Sequence, residues 1–206
     1  MTISGNARIA GVMGWPVAHS RSPRLQNFWL DQYGIDGAYV PFPVEPSGLE
    51  AALRALPKLG IGGVNVTVPH KEQAYRIVDE TDDTAARIGA VNTITVTDDG
   101  NLTATNTDAF GFTEALRARA PDWSPASGAA VILGAGGASR TILVALQNLG
   151  VSEIRVVNRT LERAQALADE LGAPLVAIPW AERETALGDA GLLINSTTLG
   201  MQGQPS

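Results

Sequence analysis

Cysteine is missing from all 206 residues, which removes disulfides, thiolate metal sites and thiol nucleophiles in one step. That composition suits a reducing compartment, and a cytoplasmic setting is expected. Lysine and histidine are scarce: the chain has Lys58 and Lys71, and His19 and His70, against thirteen arginines. General acid–base or Schiff-base chemistry therefore has few residues to draw on. Long apolar runs are lacking too. Nowhere do about 18 apolar residues run uninterrupted, and the first ten residues hold polar groups and Arg8 where a secretory leader needs an apolar stretch. Positive charge is neither in excess nor clustered, with 15 Lys+Arg against 21 Asp+Glu and a net charge of −6. Nucleic acid and anionic membrane are poor partners for such a chain. What remains is the expectation of a soluble protein.

What is present supports a substantial core, since 45% of residues are hydrophobic. The length fits one large domain or two small ones. The clearest interruption is 120–128, where two prolines and small polar residues break the apolar periodicity, so the expected domains are 1–120 and 121–206. In the first, Arg8 to Met13 reads as a strand. Ser22 followed by Pro23 reads as an N-cap and first-turn proline, opening a helix whose Leu25, Phe28, Trp29 and Tyr33 fall at helical spacing. Tyr39 to Val44 is β-like, Pro46 to Lys58 helical, and Gly63 to Val68 a strand stopped by Pro69. Ala90 to Val96 and Leu102 to Thr105 flank an Asp-Asp-Gly-Asn turn as a hairpin, and Asp108 to Arg119 is helical. The second half alternates more regularly: strands at Ala129 to Leu133, Glu153 to Val157, Leu175 to Ile178 and Leu192 to Ile194, with helices at Ala138 to Leu149, Leu161 to Leu171 and Trp180 to Leu187. This predicts an α/β fold with a parallel, Rossmann-like sheet about four strands wide in the second domain.

The first strand of that sheet runs directly into Gly134-Ala135-Gly136-Gly137-Ala138-Ser139 and a helix. In a G-x-G-x-x-G/A loop the first glycine makes the turn, the second lets backbone N–H groups approach a pyrophosphate, and the helix N-terminus adds partial positive charge. A glycine-rich turn can also be purely structural. The second strand discriminates among ligands. It ends in Asn158-Arg159-Thr160, with Arg163 one helical turn on and no carboxylate where a ribose 2′-OH would need one. Two guanidiniums, with Thr160 as a helix cap, make a pocket for an adenosine 2′-phosphate, so NADP is favoured over NAD and over S-adenosylmethionine. The alternative is that Arg159 and Arg163 are solvated surface charges.

The first domain carries three polar constellations at strand ends. Gly14-Trp-Pro-Val-Ala-His-Ser-Arg-Ser-Pro23 sets Ser20 and Ser22 beside a helix start, suited to a carboxylate or simply to a capped turn. Asn65-Val-Thr-Val-Pro-His-Lys71 holds Thr67, His70 and Lys71, and equally reads as a strand stopped by proline. Gly89-Ala-Val-Asn-Thr93 and Asn106-Thr-Asp108 add an amide and a carboxylate that turns or caps would also explain.

Together with Asn158 to Ala164 and Asn195 to Met201, these segments resemble the shikimate dehydrogenase family, in order and over nearly the whole chain. The resemblance implies an N-terminal substrate domain and an NADP domain. It implies that Ser20 and Ser22 hold the shikimate carboxylate, that Thr67 and Asn92 bind ring hydroxyls, and that Lys71 and Asp108 form the catalytic pair. Gly134 to Ser139 would underlie the cofactor pyrophosphate, Asn158, Arg159, Thr160 and Arg163 would surround the 2′-phosphate, and Asn195, Thr197 and Met201 would lie near the nicotinamide. The expected reaction is NADPH-dependent reduction of 3-dehydroshikimate, without a metal. Family members continue beyond the matching segment, so the NADP domain here is expected to be incomplete. That leaves two alternatives: an NAD-dependent quinate/shikimate dehydrogenase and a non-catalytic ligand-binding form.

Overall fold

The computed structural model describes residues 3–197 and Leu199. The chain divides into two compact units, Met1–Thr107 and Asp108–Ser206.

The first unit is built on a six-stranded mixed sheet. Its elements in chain order are β1 (Arg8–Gly14), α1 (Ser22–Gln32), β2 (Gly37–Pro43), α2 (Leu49–Ala55), β3 (Ile61–Val66), α3 (Lys71–Ile77), β4 (Glu80–Thr81), α4 (Asp83–Ile88), β5 (Thr93–Val96) and β6 (Leu102–Thr105). The strands stand in the order β2-β1-β3-β5-β6-β4. β1 pairs parallel with β2 and β3, while β3–β5 and β5–β6 are antiparallel. Leu49, Leu53 and Leu56 recur at helical spacing and are buried against Met13, Val64, Val66, Ile94 and Leu102 from four strands. The segment Pro46 to Lys58, read as one helix, is α2 between two 3₁₀ turns, because Pro57 has no N–H to extend it. α3, β4 and α4 were not anticipated; each is seven residues or fewer, too short for a periodic signal.

α1 is a second departure. The side chain bonded at its start belongs to Ser20, whose Oγ accepts the Ser22 N–H (3.3 Å), so Ser22 is the first helical residue and not the cap. Leu25, Phe28, Trp29 and Tyr33, read as an apolar helical face, are all exposed. Asn27 fastens the helix instead. Its amide donates to the Pro23 and Tyr39 carbonyls (2.7 and 2.8 Å) and accepts the Tyr39 N–H (3.0 Å).

The second unit comprises α5 (Asp108–Arg119), β7 (Ala129–Leu133), α6 (Gly137–Asn148), β8 (Ile154–Asn158), α7 (Leu161–Leu171), β9 (Leu175–Pro179) and β10 (Ala190–Asn195). All four strands are parallel, in the order β10-β7-β8-β9. This is the order of a Rossmann-like half sheet, with its crevice where the connection reverses between β7 and β10. Ala130 and Ile132 face a core with Leu143, Leu146, Ile154 and Val156, while Val131 turns to the other side with Val157 and Ala186. A strand buried on both faces needs its continuous apolar run. The unit boundary falls at Thr107/Asp108, ahead of the proline break at 120–128, because Phe112 of α5 packs on this second core together with Trp123. Trp180 to Leu187, expected as a helix, forms two short 3₁₀ turns. Among the described residues no helix is long and apolar enough to cross a membrane, and no group of His, Cys, Asp or Glu could hold a metal ion.

Candidate active-site residues and cofactor cleft

The topology of the first unit gathers its polar constellations along one edge of the sheet. β1 and β3 run parallel and end there, leading to Ser20 and Ser22 and to Thr67 and Lys71 respectively. β5 is antiparallel to β3 and starts at that edge, with Asn65 opposite Thr93, so Asn92 joins them. β6 ends there as well, with Thr105 opposite Thr93. Thr67 is fixed by its N–H to the Met13 carbonyl (2.9 Å), and a Cβ on Gly14 would lie 2.5 Å from its methyl group, so only glycine fits beside it.

Lys71 opens α3, whose start is anchored from below. Fully buried His70 donates Nε2–H to the Val44 carbonyl (2.8 Å), and Gln73 Nε2 donates to the Pro46 carbonyl (3.1 Å). A chain of hydrogen bonds runs behind this edge. Tyr39 Oη donates to Asn65 Oδ1 (2.7 Å), and Asn65 Nδ2 donates to Thr93 Oγ1 (3.0 Å) and the Asn92 carbonyl (3.2 Å). Thr93 Oγ1 donates onward to Asn92 Oδ1 (3.0 Å), which also accepts the Thr107 N–H (3.0 Å), while Asn92 Nδ2 donates to Thr107 Oγ1 (2.9 Å). Asn92 is thus held by its neighbours at a defined angle. Burial pushes the Tyr39 phenol up to about 12, so it stays a neutral donor.

In the second unit a cleft of about 290 Å³ opens at the carboxyl ends of the strands. Gly134, Ala135 and Gly136 form one wall, Asn158, Arg159 and Arg163 another, and Trp180, Ser196, Thr197 and Leu199 complete it. Gly134 has φ +109°, and a Cβ there would lie 2.7 Å from Ser196 Oγ. At Gly136 a Cβ would meet nothing within 4 Å, leaving that side of the loop open to an incoming anion. The first-turn amides of α6 have no intrahelical acceptors, and with the helix dipole they favour an anion there. The cleft therefore fits a dinucleotide with an added phosphate: a backbone cradle for the pyrophosphate and two guanidiniums for the second anion.

Two family models match this chain. One, described as the shikimate dehydrogenase substrate binding domain, covers residues 12–94; the other, described as shikimate / quinate 5-dehydrogenase, covers residues 117–200. The chain belongs to the shikimate dehydrogenase family. A shikimate dehydrogenase (NADP(+)) of Paramagnetospirillum magneticum is 57% identical over 204 residues, 99% of this chain and 74% of the relative. The crystal structure of shikimate dehydrogenase from Aquifex aeolicus superposes with a TM-score of 0.91 at 34% identity, covering 100% of this chain and 74% of that one. Shikimate 5-dehydrogenase from Thermus thermophilus, in complex with NADP(H) and shikimate, gives 0.82 at 40% identity over 94% of this chain and 69% of its own.

Within this chain, several anticipated residues sit differently from the motif reading. Ser139 is fully buried and lies beneath the loop. Its Oγ accepts the Gly136 N–H (3.0 Å) and bonds Ser196 Oγ (2.8 Å), which donates to the Leu133 carbonyl (2.7 Å). The Gly136 amide is therefore taken up internally, and the amides left to face an anion belong to Gly137 and Ala138, which are exposed at the start of α6. Thr160 stands at the N-cap of α7, but its side chain makes no capping bond; Asn158 Nδ2 holds the turn through the Thr160 carbonyl (2.8 Å). Thr197 lines the cleft in a turn closed by Asn195 Oδ1, which accepts its N–H (3.0 Å) and Oγ1–H (2.7 Å). Met201 lies outside the described residues. Asp108, half-buried, opens α5 as the first residue of the second unit.

Proposed function

We propose that this chain catalyses the reversible NADP-dependent interconversion of 3-dehydroshikimate and shikimate, with the first unit binding the substrate and the second the cofactor. One observation carries the cofactor assignment: β8 ends in Asn158, with Arg159 just beyond it and Arg163 a helical turn on, all lining the cleft that begins at the glycine loop. The activity for which the relatives are named and the match over 99% of this chain support the substrate.

NADPH, when bound, supplies the hydride. The Gly137 and Ala138 N–H groups would hold its pyrophosphate, and Arg159 and Arg163 would neutralise the 2′-phosphate. Ser20 and Ser22 donate hydroxyl hydrogen bonds to the substrate carboxylate, and Thr67 and the Asn92 amide fix the ring hydroxyls. Lys71 is the catalytic acid in the reductive direction. Its Nζ gives a proton to the carbonyl oxygen as the carbonyl carbon accepts the hydride, and in oxidation it takes the hydroxyl proton back. Asp108 is the second member of the proposed catalytic pair. In this direction one ketone and one proton are consumed for each NADPH oxidised. The same reading places the enzyme in the cytoplasm, as a monomer or homodimer.

The test is oxidation of shikimate by the purified chain with NADP⁺, followed by the absorbance of reduced nicotinamide, together with a Lys71→Ala variant. Turnover is expected in the parent and a loss of about 10²- to 10⁴-fold in the variant, with NADPH affinity and thermal stability retained. Undiminished turnover in Lys71→Ala would remove the residue assignment, and a preference for NAD⁺ would transfer the chain to the quinate/shikimate branch.

A further inference from the structure

We propose that Trp180 is the adenine-binding residue of the cofactor cleft, setting affinity for the adenosine half of the dinucleotide without contributing to the choice between NADP and NAD. The inference rests on the cofactor reading above and names a subsite within it.

Register places the residue. β8 and β9 are parallel neighbours with Asn158 opposite Pro179, so the positions immediately beyond them, Arg159 and Trp180, leave the sheet side by side. Trp180 lines the same cleft as Arg159 and Arg163, and it is the one aromatic side chain among the described residues that does so. Covalent chemistry then fixes what must lie beside those arginines. On the adenosine ribose the phosphate is on C2′ and the base on the adjacent C1′, so a cleft that holds the phosphate against Arg159 and Arg163 has the base within reach. Adenine is flat, π-rich and uncharged, and an indole is the side chain with the largest matching surface.

The indole is also held. Trp180 starts a 3₁₀ turn, and Arg183 at the end of that turn lies with its guanidinium carbon 5.4 Å from the ring centroid, while Arg183 Nη1 donates to the Trp180 carbonyl (3.1 Å). A cation against the ring and a short anchored turn limit the rotamers the indole can sample, so little side-chain freedom is lost on stacking. Base–aromatic stacking is tolerant of the rest of the ligand because it reads only a π face. Selection between the two dinucleotides stays with the guanidiniums, which read the 2′ substituent.

The experiment measures dissociation constants for NADPH and NADH on the full chain and on Trp180→Ala, Trp180→Phe and Arg163→Ala. Trp180→Ala is expected to weaken both ligands about tenfold, leaving their ratio unchanged, and Trp180→Phe to stay within about threefold of the parent for both. Arg163→Ala is expected to weaken NADPH alone, collapsing the ratio. As a readout independent of the alanine variant's folding, adenosine 2′,5′-bisphosphate should quench the parent's tryptophan emission and lose that quench in Trp180→Phe while still binding. Unchanged affinity in Trp180→Ala, a loss confined to NADPH, or an undiminished quench in Trp180→Phe would overturn the assignment. Failure of the parent itself to bind NADPH would strike the cofactor reading rather than the subsite.

Discussion

Two glycines of the same loop should fail in opposite ways when a single methyl group is added. Gly134 has φ +109°, where an L-residue is strained by about 1–2 kcal/mol, and its new Cβ would sit 2.7 Å from Ser196 Oγ. That oxygen cannot retreat freely, because it bonds both the Leu133 carbonyl and Ser139, and giving up one such bond costs about 1 kcal/mol more. Gly134→Ala should therefore lose about 2–3 kcal/mol, lowering Tm by about 6 °C at this chain length. Gly136 has φ −106° and ψ −172°, an extended conformation open to any residue, and its Cβ would meet nothing within 4 Å. Alanine is a poorer N-cap than glycine, but the unfolded chain loses entropy, and the two effects offset to within about 0.5 kcal/mol. Gly136→Ala should thus keep its Tm. Its methyl group occupies the open side of the loop, however, and holds the pyrophosphate away from the Gly137 and Ala138 amides. Losing one such charge-assisted bond, at about 1.5–3 kcal/mol, raises the Kd for NADPH about 10- to 100-fold. Thermal unfolding without cofactor and calorimetric titration of NADPH measure the two quantities separately. Parental NADPH affinity in Gly136→Ala, or a Tm loss equal to that of Gly134→Ala, would refute the reasoning.

Leu146, completely buried in the second core, should cost about 2–5 kcal/mol on replacement by alanine, read from the midpoint of urea unfolding. Tyr39→Phe should cost about 1 kcal/mol by removing the bond to Asn65, and Asn65→Ala should cost less in the Tyr39→Phe background than alone, a coupling that a double-mutant cycle measures. Stability should fall at both pH extremes. The Leu102 N–H and Arg54 hold Asp79 below the usual carboxylate range, and Arg140 and Arg155 do the same for Glu170 and Asp189. These contributions are present above the unfolded carboxylate values and are lost as acid protonates the folded groups. Tyr39 has the opposite sign: its stabilisation is complete below the ordinary phenol value of 10.0 and disappears as pH rises toward about 12. Urea midpoints across the pH range check both limbs.

The sequence was most legible where one physical signal acts alone. Ala129 to Leu133 is apolar at every position, too short for a helix and stopped by the glycine loop, which is the pattern of a strand buried on both faces of a parallel sheet, and β7 has those boundaries. The loop after it and the absence of a carboxylate at Asn158 were readable for the same reason: each is a local chemical requirement. What could not be read was set by which of several possible partners a residue takes, near or far along the chain. Nothing local distinguishes Ser22 as a cap from Ser22 as a first helical residue; the difference is that Ser20 turns back to bond it. Asn65 is visible in its motif, but its link from Tyr39 to Asn92 needs four adjacent strands, β2, β1, β3 and β5, brought into register. Trp180 was read as part of a helix, and only the pairing of Asn158 with Pro179 carries it to the cleft.

Ser139 shows how a departure from a motif can carry its own function. The third small residue of the loop serves to let the helix approach the strand, and glycine or alanine would do that while leaving the Gly136 amide and the Leu133 end of β7 to other partners. A hydroxyl at this buried position instead accepts from Gly136 and meets Ser196, which reaches the Leu133 carbonyl. Three separate pieces of backbone, the end of β7, the loop and the segment after β10, are thereby joined beneath the surface that faces the cofactor. An anion cradle works by holding its N–H groups fixed before the anion arrives, since any ordering that binding must impose is subtracted from affinity. Ser139 gives up one donor, the Gly136 amide, and in exchange fixes the amides of Gly137 and Ala138. Ser139→Ala should therefore keep the fold, release Gly136 from its internal bond and weaken NADPH binding through the entropy of a looser loop. Calorimetry would resolve that signature as a less favourable binding entropy, and an unchanged entropy with an unchanged Kd would show that the loop is rigid without the serine.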